Sequence, residues 1–530
     1  MKRFLFQIVI FTSLAILASC SGYSQGVSGI SKKTAAPSII PKPMEQQVSN
    51  KMYEIPKKNL ICFNPEASKA APWLQKLLQA SNVRSEIVGG NNCGNWNLIA
   101  DVSLKKVLGE EGYILEINDK GITVKSATPA GLFYGIQSLR QLFPAEIEND
   151  LAVGKFYLPQ LYIKDIPKYS WRGSMVDVAR SFFGLDYLKR HVDRMALYKL
   201  NRLHLHLTDD QGWRIEIKSK PALTGIGSKG AVINGNSGYL SQEEYKELQQ
   251  YAAVRNIIII PEIDLPGHIY SALVAYPELN CEDFTNLNPQ VIIPPELYTG
   301  NRVGWSKLCL TKPEVYEFVD DVIKEIAQIT DGPWIHMGGD EINDSLYKTF
   351  VVKADSIVQQ YGKTTIGWEE VTKAPVSNSL ISQRWNGKTK SVVDVKVIQS
   401  ICTSFYFDHA NVTGQENTNN WCKKDGVSLE DVYQFSTNDL NIIGLEAPVW
   451  TELVLDEDML DNRFWPRTIV VAEIAWSQSD KNFTEFKNRL KTHQQRLKNM
   501  GINYFPSPEL NWAKNEDLGQ HQNVFKDFLP

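Results

Sequence analysis

Trp334-Ile335-His336-Met337-Gly338-Gly339-Asp340-Glu341 is an apolar run that ends in two glycines and then two adjacent carboxylates. It reads as a buried strand that emerges at its C-terminal end and presents Asp340 and Glu341 there. Adjacent residues of a strand point to opposite faces. Two carboxyls this close raise each other's pKa when partly buried, which keeps one of them protonated near neutral pH for use as a general acid. A solvated acidic pair opening a helix is the plain alternative, since negative charge suits that end of the dipole. The two glycines and the rest of the chain count against it.

Working outward, similar apolar runs alternate with amphipathic helices everywhere after Trp171. The runs are Gly173–Ala179, Arg202–Thr208, Asn256–Ile263, Trp334–Gly338, Thr364–Gly367, Leu380–Gln383, Ser400–Phe405 and Ile442–Pro448. Near-continuous apolar strands suit a parallel sheet buried on both faces. Between them, Tyr187 to Leu200 places Leu188, Val192 and Met195 on one helical face, and Ser241 to Glu244 is a capping box. Pro313 to Thr330 carries a similar apolar face. Eight such units in about 330 residues predict an α/β fold of the (β/α)8 TIM-barrel type, with a doubly wound sheet as second choice. Upstream, Gly112 to Lys125 reads as a hairpin around Asn118-Asp-Lys-Gly121, and Ala130 to Phe143 as a helix. These belong to a small α+β domain.

Composition is that of a globular protein: of 530 residues, 43% are hydrophobic and 22% charged, with net charge −4. There is no basic excess or Lys/Arg block, which argues against a nucleic-acid partner. Lys2 and Arg3 precede an apolar run, Phe4 to Ala18, that is short for a membrane span and fits a signal peptide. Leu17-Ala18-Ser19-Cys20 resembles a bacterial lipobox, with lipidation at Cys20; a plain secretory signal is the alternative. Residue 21 is Ser, so the Asp that retains such proteins in the inner membrane is absent, and an outer-membrane anchor is expected. The expected layout is signal 1–19, tether 20–38, α+β domain 39–167, barrel 168–505 and a tail 506–530 packed on or near the barrel. Six cysteines besides Cys20 stand in an exported chain, so disulfides are open to them; no Cys/His spacing suggests a metal site. No cofactor is expected.

Barrel enzymes place their chemistry at the carboxyl ends of the strands. Those ends carry Arg180; Asp209 and Asp210; Asp264 with His268; Asp340 and Glu341; Trp368; Trp385; Tyr406 and Asp408; and Trp450 with Glu452. Any one alone reads as a cap or a surface side chain. Converging on one mouth, carboxylates, an arginine and indoles suit carbohydrate: acid catalysis, hydroxyl binding and stacking on sugar faces.

Five segments also carry a resemblance. They are Val176-Asp-Val-Ala-Arg-Ser-Phe-Phe183, His204-Leu-His-Leu-Thr-Asp-Asp-Gln-Gly-Trp-Arg214, Pro261-Glu-Ile-Asp-Leu-Pro-Gly-His268, His336-Met-Gly-Gly-Asp-Glu341 and Glu446-Ala-Pro-Val-Trp-Thr-Glu452. Together they resemble the β-N-acetylhexosaminidases of glycoside hydrolase family 20. Ile40-Pro-Lys-Pro43 and Pro129 to Arg140 resemble that family's preceding α+β domain. Retaining glycosidases ordinarily hold two carboxyls about 5–5.5 Å apart across the sugar, whereas this family uses substrate assistance. The resemblance thus implies an exo-acting retaining enzyme in which the substrate's own 2-acetamido oxygen attacks the anomeric carbon and forms an oxazolinium ion. It implies Glu341 as acid/base, Asp340 on the acetamide N–H, and Tyr406 on its carbonyl. Trp368, Trp385 and Trp450 would wall the acetamide pocket. Arg180, Asp408 and Glu452 would bind ring hydroxyls, and Trp421 would lie on the leaving-group side. Asp209, Asp264 and His268 would stand behind Glu341, while Asp210, Gln211, Trp213 and Arg214 brace the barrel top. A Cys281–Cys309 disulfide is implied; Cys402 and Cys422 flank the Tyr406 loop, where a second is open to them. The partner is a glycan with a terminal β-linked N-acetylhexosamine. A disaccharide-releasing relative and an inactive carbohydrate-binding lipoprotein are the alternatives.

Overall fold

A computed structural model describes residues 37–512, apart from 92, 150–154, 289–291, 390, 391 and 393. The expected signal segment, the lipidation site Cys20, most of the tether and tail residues 513–530 lie outside the described residues.

The first domain is a seven-stranded sheet: β1 (Glu45–Glu54), β2 (Lys58–Phe63), β3 (Arg84–Gly89), β4 (Trp96–Ala100), β5 (Tyr113–Asn118), β6 (Gly121–Ser126) and β7 (Tyr157–Asp165), in the order β1-β7-β5-β6-β4-β2-β3. The predicted hairpin is β5–β6, with Asn118 paired to Gly121. The predicted helix is Pro129–Leu142, capped by Thr128 on the Gly131 N–H. This domain is fastened to the barrel by buried charge. Arg172 makes a bidentate pair with Glu111 at 2.8 and 2.9 Å, and Lys199 reaches Asp165 at 3.1 Å. Tyr134 packs edge-on against Trp476.

Eight parallel strands then close into a barrel: β8 (Trp171–Asp177), β9 (Arg202–His206), β10 (Ile258–Glu262), β11 (Trp334–His336), β12 (Thr364–Trp368), β13 (Ile381–Arg384), β14 (Lys396–Gln399) and β15 (Ile442–Val449). Seven of the eight predicted runs overlap one of these strands. The seventh is misplaced: β14 is Lys396–Gln399, and the predicted run Ser400–Phe405 is instead two irregular residues and a one-turn helix, Cys402–Phe405. Val397 to Phe407 places apolar residues on both sides of Gln399-Ser400 and Thr403-Ser404, and so short a mixed run does not separate a four-residue strand from a helical turn by periodicity alone. The capping box at Ser241 is present, and the helix Pro313–Ile329 runs as predicted.

Side-chain alternation divides the barrel lumen into layers. Trp171, Ile260, Ile366, Ile381 and Ile398 form an apolar floor. Two residues further along their strands come Gly173, Glu262, Gln383 and Ser400, joined by His204, His336 and Glu446. This middle layer is polar and fully buried. Gly173 makes room for it: a Cβ there would stand 2.3 Å from Glu446 Oε2. Above lies an aromatic layer of Trp368, Trp385 and Tyr406 around Met175 and Cys402. Three disulfides occur among the described residues. Cys281–Cys309 is the implied pair and Cys402–Cys422 the one left open; Cys62–Cys93 joins two residues that nothing in the sequence pairs.

Candidate active site

The loops at the carboxyl ends of the strands enclose a cavity of about 290 Å³. Arg180 is aimed into it by Asp177, at the end of β8. The Asp177 carboxylate accepts the backbone N–H groups of Ala179 at 2.8 Å and Arg180 at 3.1 Å, and that of Thr451 from the neighbouring loop at 3.0 Å. Arg180 Nη2 then meets Asp209 Oδ2 at 2.7 Å, and its guanidinium lies 4.9 Å from the Trp450 ring.

The expected pair does not stand on opposite faces of a strand. β11 ends at His336, and the chain then turns sharply through Gly338 (φ +64°) and Gly339 (φ +97°). A Cβ on Gly338 would lie 1.8 Å from Asp264 Oδ1, which also accepts the Gly339 N–H at 3.2 Å. Asp264 therefore braces this turn and does not line the cavity. Glu341 itself is left-handed (φ 55°), as is His268 (φ 50°). Such backbone costs about 1–3 kcal/mol and persists where the surroundings impose it. The turn brings both carboxyls to one cavity.

His268 is wedged behind them. Its Nε2 lies 3.5 Å from Glu341 Oε2 and 3.8 Å from Asp340 Oδ2, and its Nδ1 lies 3.5 Å from Asp209 Oδ1. Burial disfavours its positive charge, but Asp209 and Asp340 outweigh that and hold the ring protonated. Burial and the charge of Glu341 push the Asp340 carboxyl up to about 6, against the pull of His268. Burial alone would raise Glu341 too, but the hydrogen bond and charge of His268 win and hold it below its ordinary value.

The aromatic side of the cavity is a cage. Trp368 is buried beneath it, 5.8 Å from Trp450. Trp385 stacks near Tyr406 (6.3 Å, 21°) and donates its indole N–H to Glu370 at 3.0 Å. Tyr406 lies 6.2 Å from Trp450. It does not end a strand, as predicted, but follows the short helix after β14. Trp421 stands at the rim, 51% exposed and 5.7 Å from Trp385. The Cys402–Cys422 disulfide ties the Trp421 loop to the helix before Tyr406. Asp408 and Glu452 line the remaining wall. Burial, with Asp177 and Asp408 nearby, lifts Glu452 to about 7 against the pull of Arg180.

Four buried oxygens here have no protein hydrogen-bond partner: Asp340 Oδ1, Asp408 Oδ1, Asp408 Oδ2 and Glu452 Oε2. Buried polar atoms are ordinarily satisfied, and these are spread around one small cavity. They suit a ligand with several hydroxyl or amide donors. Among the described residues, four groups of His and carboxylate side chains also bring metal-type ligand atoms within 4.8 Å of one another, one of them Asp264, His268 and Asp340.

The predicted braces stand apart from the cavity. Arg214 donates to the carbonyls of Val178, Ala179, Ser228, Gly230 and Gly238, Trp213 is buried, and Asp210 accepts the Tyr270 N–H at 3.2 Å. Asn301, Val303 and Asn419 line the mouth without having been predicted. They sit in polar or mixed loops that have no periodic signal. Glu370 was also missed, although it directly follows Glu369 at the end of a predicted strand.

Comparison with known proteins agrees with this geometry. Residues 169–349 and 344–479 match the family described as "Glycosyl hydrolase family 20, catalytic domain", and residues 36–166 match "Glycosyl hydrolase family 20, domain 2". A beta-hexosaminidase of Porphyromonas gingivalis is 32% identical, over 96% of this chain and 69% of its own length. A beta-N-acetylhexosaminidase of Cellulomonas fimi is 32% identical over 76% of this chain and 82% of its own. A solved mutant Streptomyces plicatus beta-hexosaminidase, in complex with product (GlcNAc), superposes with a TM-score of 0.83 at 34% identity, covering 91% of this chain and 98% of that one.

Proposed function

The chain belongs to glycosyl hydrolase family 20 and removes terminal β-linked N-acetylhexosamine from glycans; we propose that Asp340, Glu341 and Tyr406 divide the chemistry of that reaction. The observation that carries the assignment is the turn after β11, which brings two adjacent carboxyls into one cavity with an aromatic cage. A nucleophile on the protein would stand across the sugar from the acid. Here the substrate's acetamide supplies it.

In the first step the acetamide oxygen attacks the anomeric carbon, and the bond to the leaving oxygen breaks as Glu341 protonates it. Asp340 accepts the acetamide N–H and stabilises the positive charge of the oxazolinium ion. Tyr406 donates its hydroxyl to the acetamide carbonyl; burial and nearby Asp340 raise its pKa well above 10, so it stays a donor. Trp368, Trp385 and Trp450 hold the acetamide in line. In the second step a water attacks the anomeric carbon and gives its proton to Glu341. The acetamide is released intact, and the configuration is retained. Arg180, Asp408 and Glu452 hold the ring hydroxyls, and Trp421 offers its face to the leaving group. The cavity of about 290 Å³ lies at the small end of the roughly 300–1,000 Å³ of ligand sites, which suits one sugar rather than a disaccharide.

The two carboxyls share one proton. In the free site it rests on Asp340, at about 6, rather than on Glu341. The acetamide N–H favours ionised Asp340, so substrate binding drives the proton to Glu341, where the reaction needs it. The sign of the pH dependence follows. Above about pH 6 the pair loses its only proton and the acid step fails. Well below that a second proton neutralises both carboxyls, and Asp340 no longer accepts the acetamide as an anion. A bell-shaped kcat/KM is expected on an aryl β-N-acetylglucosaminide, with its optimum below pH 6. A profile that rises through pH 6 to a plateau near pH 8 would contradict the shared proton.

We further propose export and lipid anchoring at Cys20, in the outer membrane. The basic start, the apolar run Phe4 to Ala18, the lipobox-like Leu17 to Cys20 and three disulfides support it. Wild-type protein expressed in a Gram-negative host should incorporate a clickable fatty acid and sediment with outer membranes. Cys20→Ser should do neither. A labelled, sedimenting Cys20→Ser protein would refute the anchor.

A further inference from the structure

The polar middle layer of the barrel holds charges that the reaction as written does not use. Glu446 accepts Trp171 Nε1 and Gln383 Nε2, each at 2.8 Å, and lies 2.8 Å from His204 Nδ1. His204 Nε2 stands 3.0 Å from Glu262 Oε2, which also meets His206 Nδ1 at 2.6 Å. His206 Nε2 continues to Asp209 Oδ2 at 2.8 Å. Asp209 holds Arg180 and faces His268, which backs Glu341. Acid and base thus alternate from the middle layer of the barrel to the acid/base. Burial opposes charge on each imidazole, but the flanking carboxylates raise His204 to about 9 and His206 well above its ordinary value.

Glu262 is the branch point of this row. Its other oxygen, Oε1, accepts the indole N–H of Trp368 at 2.9 Å and lies 3.1 Å from His336 Nδ1. Trp368 is the floor of the aromatic cage. One buried carboxylate therefore touches the group beneath the acetamide and the row behind the acid/base. A lumen position at this height could be filled by an aliphatic residue, as the layer below shows. Burying a carboxylate is costly unless every partner is in place.

We infer that Glu262 is a positioning residue of the hydrolysis, holding Trp368 under the acetamide with one oxygen and the His206–Asp209–His268 row behind Glu341 with the other. The inference rests on the division of labour proposed above. It predicts that losing the carboxylate disturbs substrate binding and turnover together. It also predicts a shift in pH dependence. Glu262 faces His204 and His206 from β9, His336 from β11, Trp368 from β12 and Asp264 beyond its own strand. Its charge also helps to raise Asp340 in the loop after β11. Without that charge Asp340 falls below about 6, and the basic limb of kcat/KM moves to lower pH.

The test is Glu262→Gln, which keeps the shape and one acceptor. Steady-state kinetics are measured from pH 4 to pH 8 on an aryl β-N-acetylglucosaminide, with circular dichroism to verify the fold. Activity of the wild type comes first, since its failure would sink the proposed function and not this inference. The folded variant should show kcat/KM lowered by about 100-fold, a raised KM and the basic limb displaced to lower pH. A folded variant with kcat, KM and limb within twofold of wild type would overturn the inference. Should Glu262→Gln not fold, His206→Asn separates the two arms. Cutting the row while leaving the Glu262–Trp368 bond should lower kcat with little change in KM. An unchanged kcat in that variant would overturn the inference as well.

Discussion

Replacing Glu341 by Gln should lower kcat by about 1,000-fold or more on a substrate whose leaving group needs a proton, such as a methylumbelliferyl β-N-acetylglucosaminide. The amide keeps the side chain's size and its contact with His268 but carries no transferable proton. The loss should depend on the leaving group. A dinitrophenolate leaves as the anion, so the first step survives and the oxazolinium ion forms. Its breakdown is then slow, because no carboxylate takes the proton of the attacking water. Azide needs no such base and should restore turnover of the dinitrophenyl substrate, giving a β-glycosyl azide. A Glu341→Gln enzyme with near-normal kcat on both substrates would remove Glu341 from the acid/base role. Equal losses on both, with no rescue by azide, would point to a collapsed pocket instead.

How much of this was legible in the sequence depends on the kind of signal. The barrel was legible because strands buried on both faces are apolar runs at regular intervals, and seven such runs sit on observed strands. The eighth was displaced because β14 is only four residues long and is followed at once by a short helical turn of mixed polarity. The consequence is local: Tyr406 arrives in the cavity from a helix, not from a strand end. The carboxyl pair was legible through its glycines, and the structure gives those glycines their reason. Gly338 and Gly339 have positive φ, and a side chain at Gly338 would strike Asp264. The left-handed Glu341 was not legible, since nothing in its own chemistry asks for that backbone.

The polar layer inside the barrel is the larger omission. In β9, Leu203 and Leu205 alternate with His204 and His206, a pattern that puts the histidines in the lumen. On a strand buried on both faces, two inward histidines require buried acids, and Glu262 and Glu446 are those acids. That signal was present as a two-residue period but is read only once the barrel fixes which face is inside. Cys62–Cys93 illustrates the opposite case. The pairing follows from the position of β2 beside β4, and no local pattern encodes it.

The central claim is that the nucleophile belongs to the substrate, and the most direct test varies that nucleophile alone. Initial rates are measured on one series of aryl β-glycosides bearing acetamido, fluoroacetamido, difluoroacetamido or trifluoroacetamido groups at C2, with the 2-hydroxy glucoside as the end member. Each fluorine weakens the acetamide oxygen as a nucleophile while the shape of the group hardly changes. Rates should fall stepwise along the series. The glucoside should lose about 10⁵-fold or more, the scale of an oriented intramolecular reaction. Similar rates across the series, or a sugar trapped covalently on a protein carboxylate, would contradict substrate assistance and return the nucleophile to the enzyme.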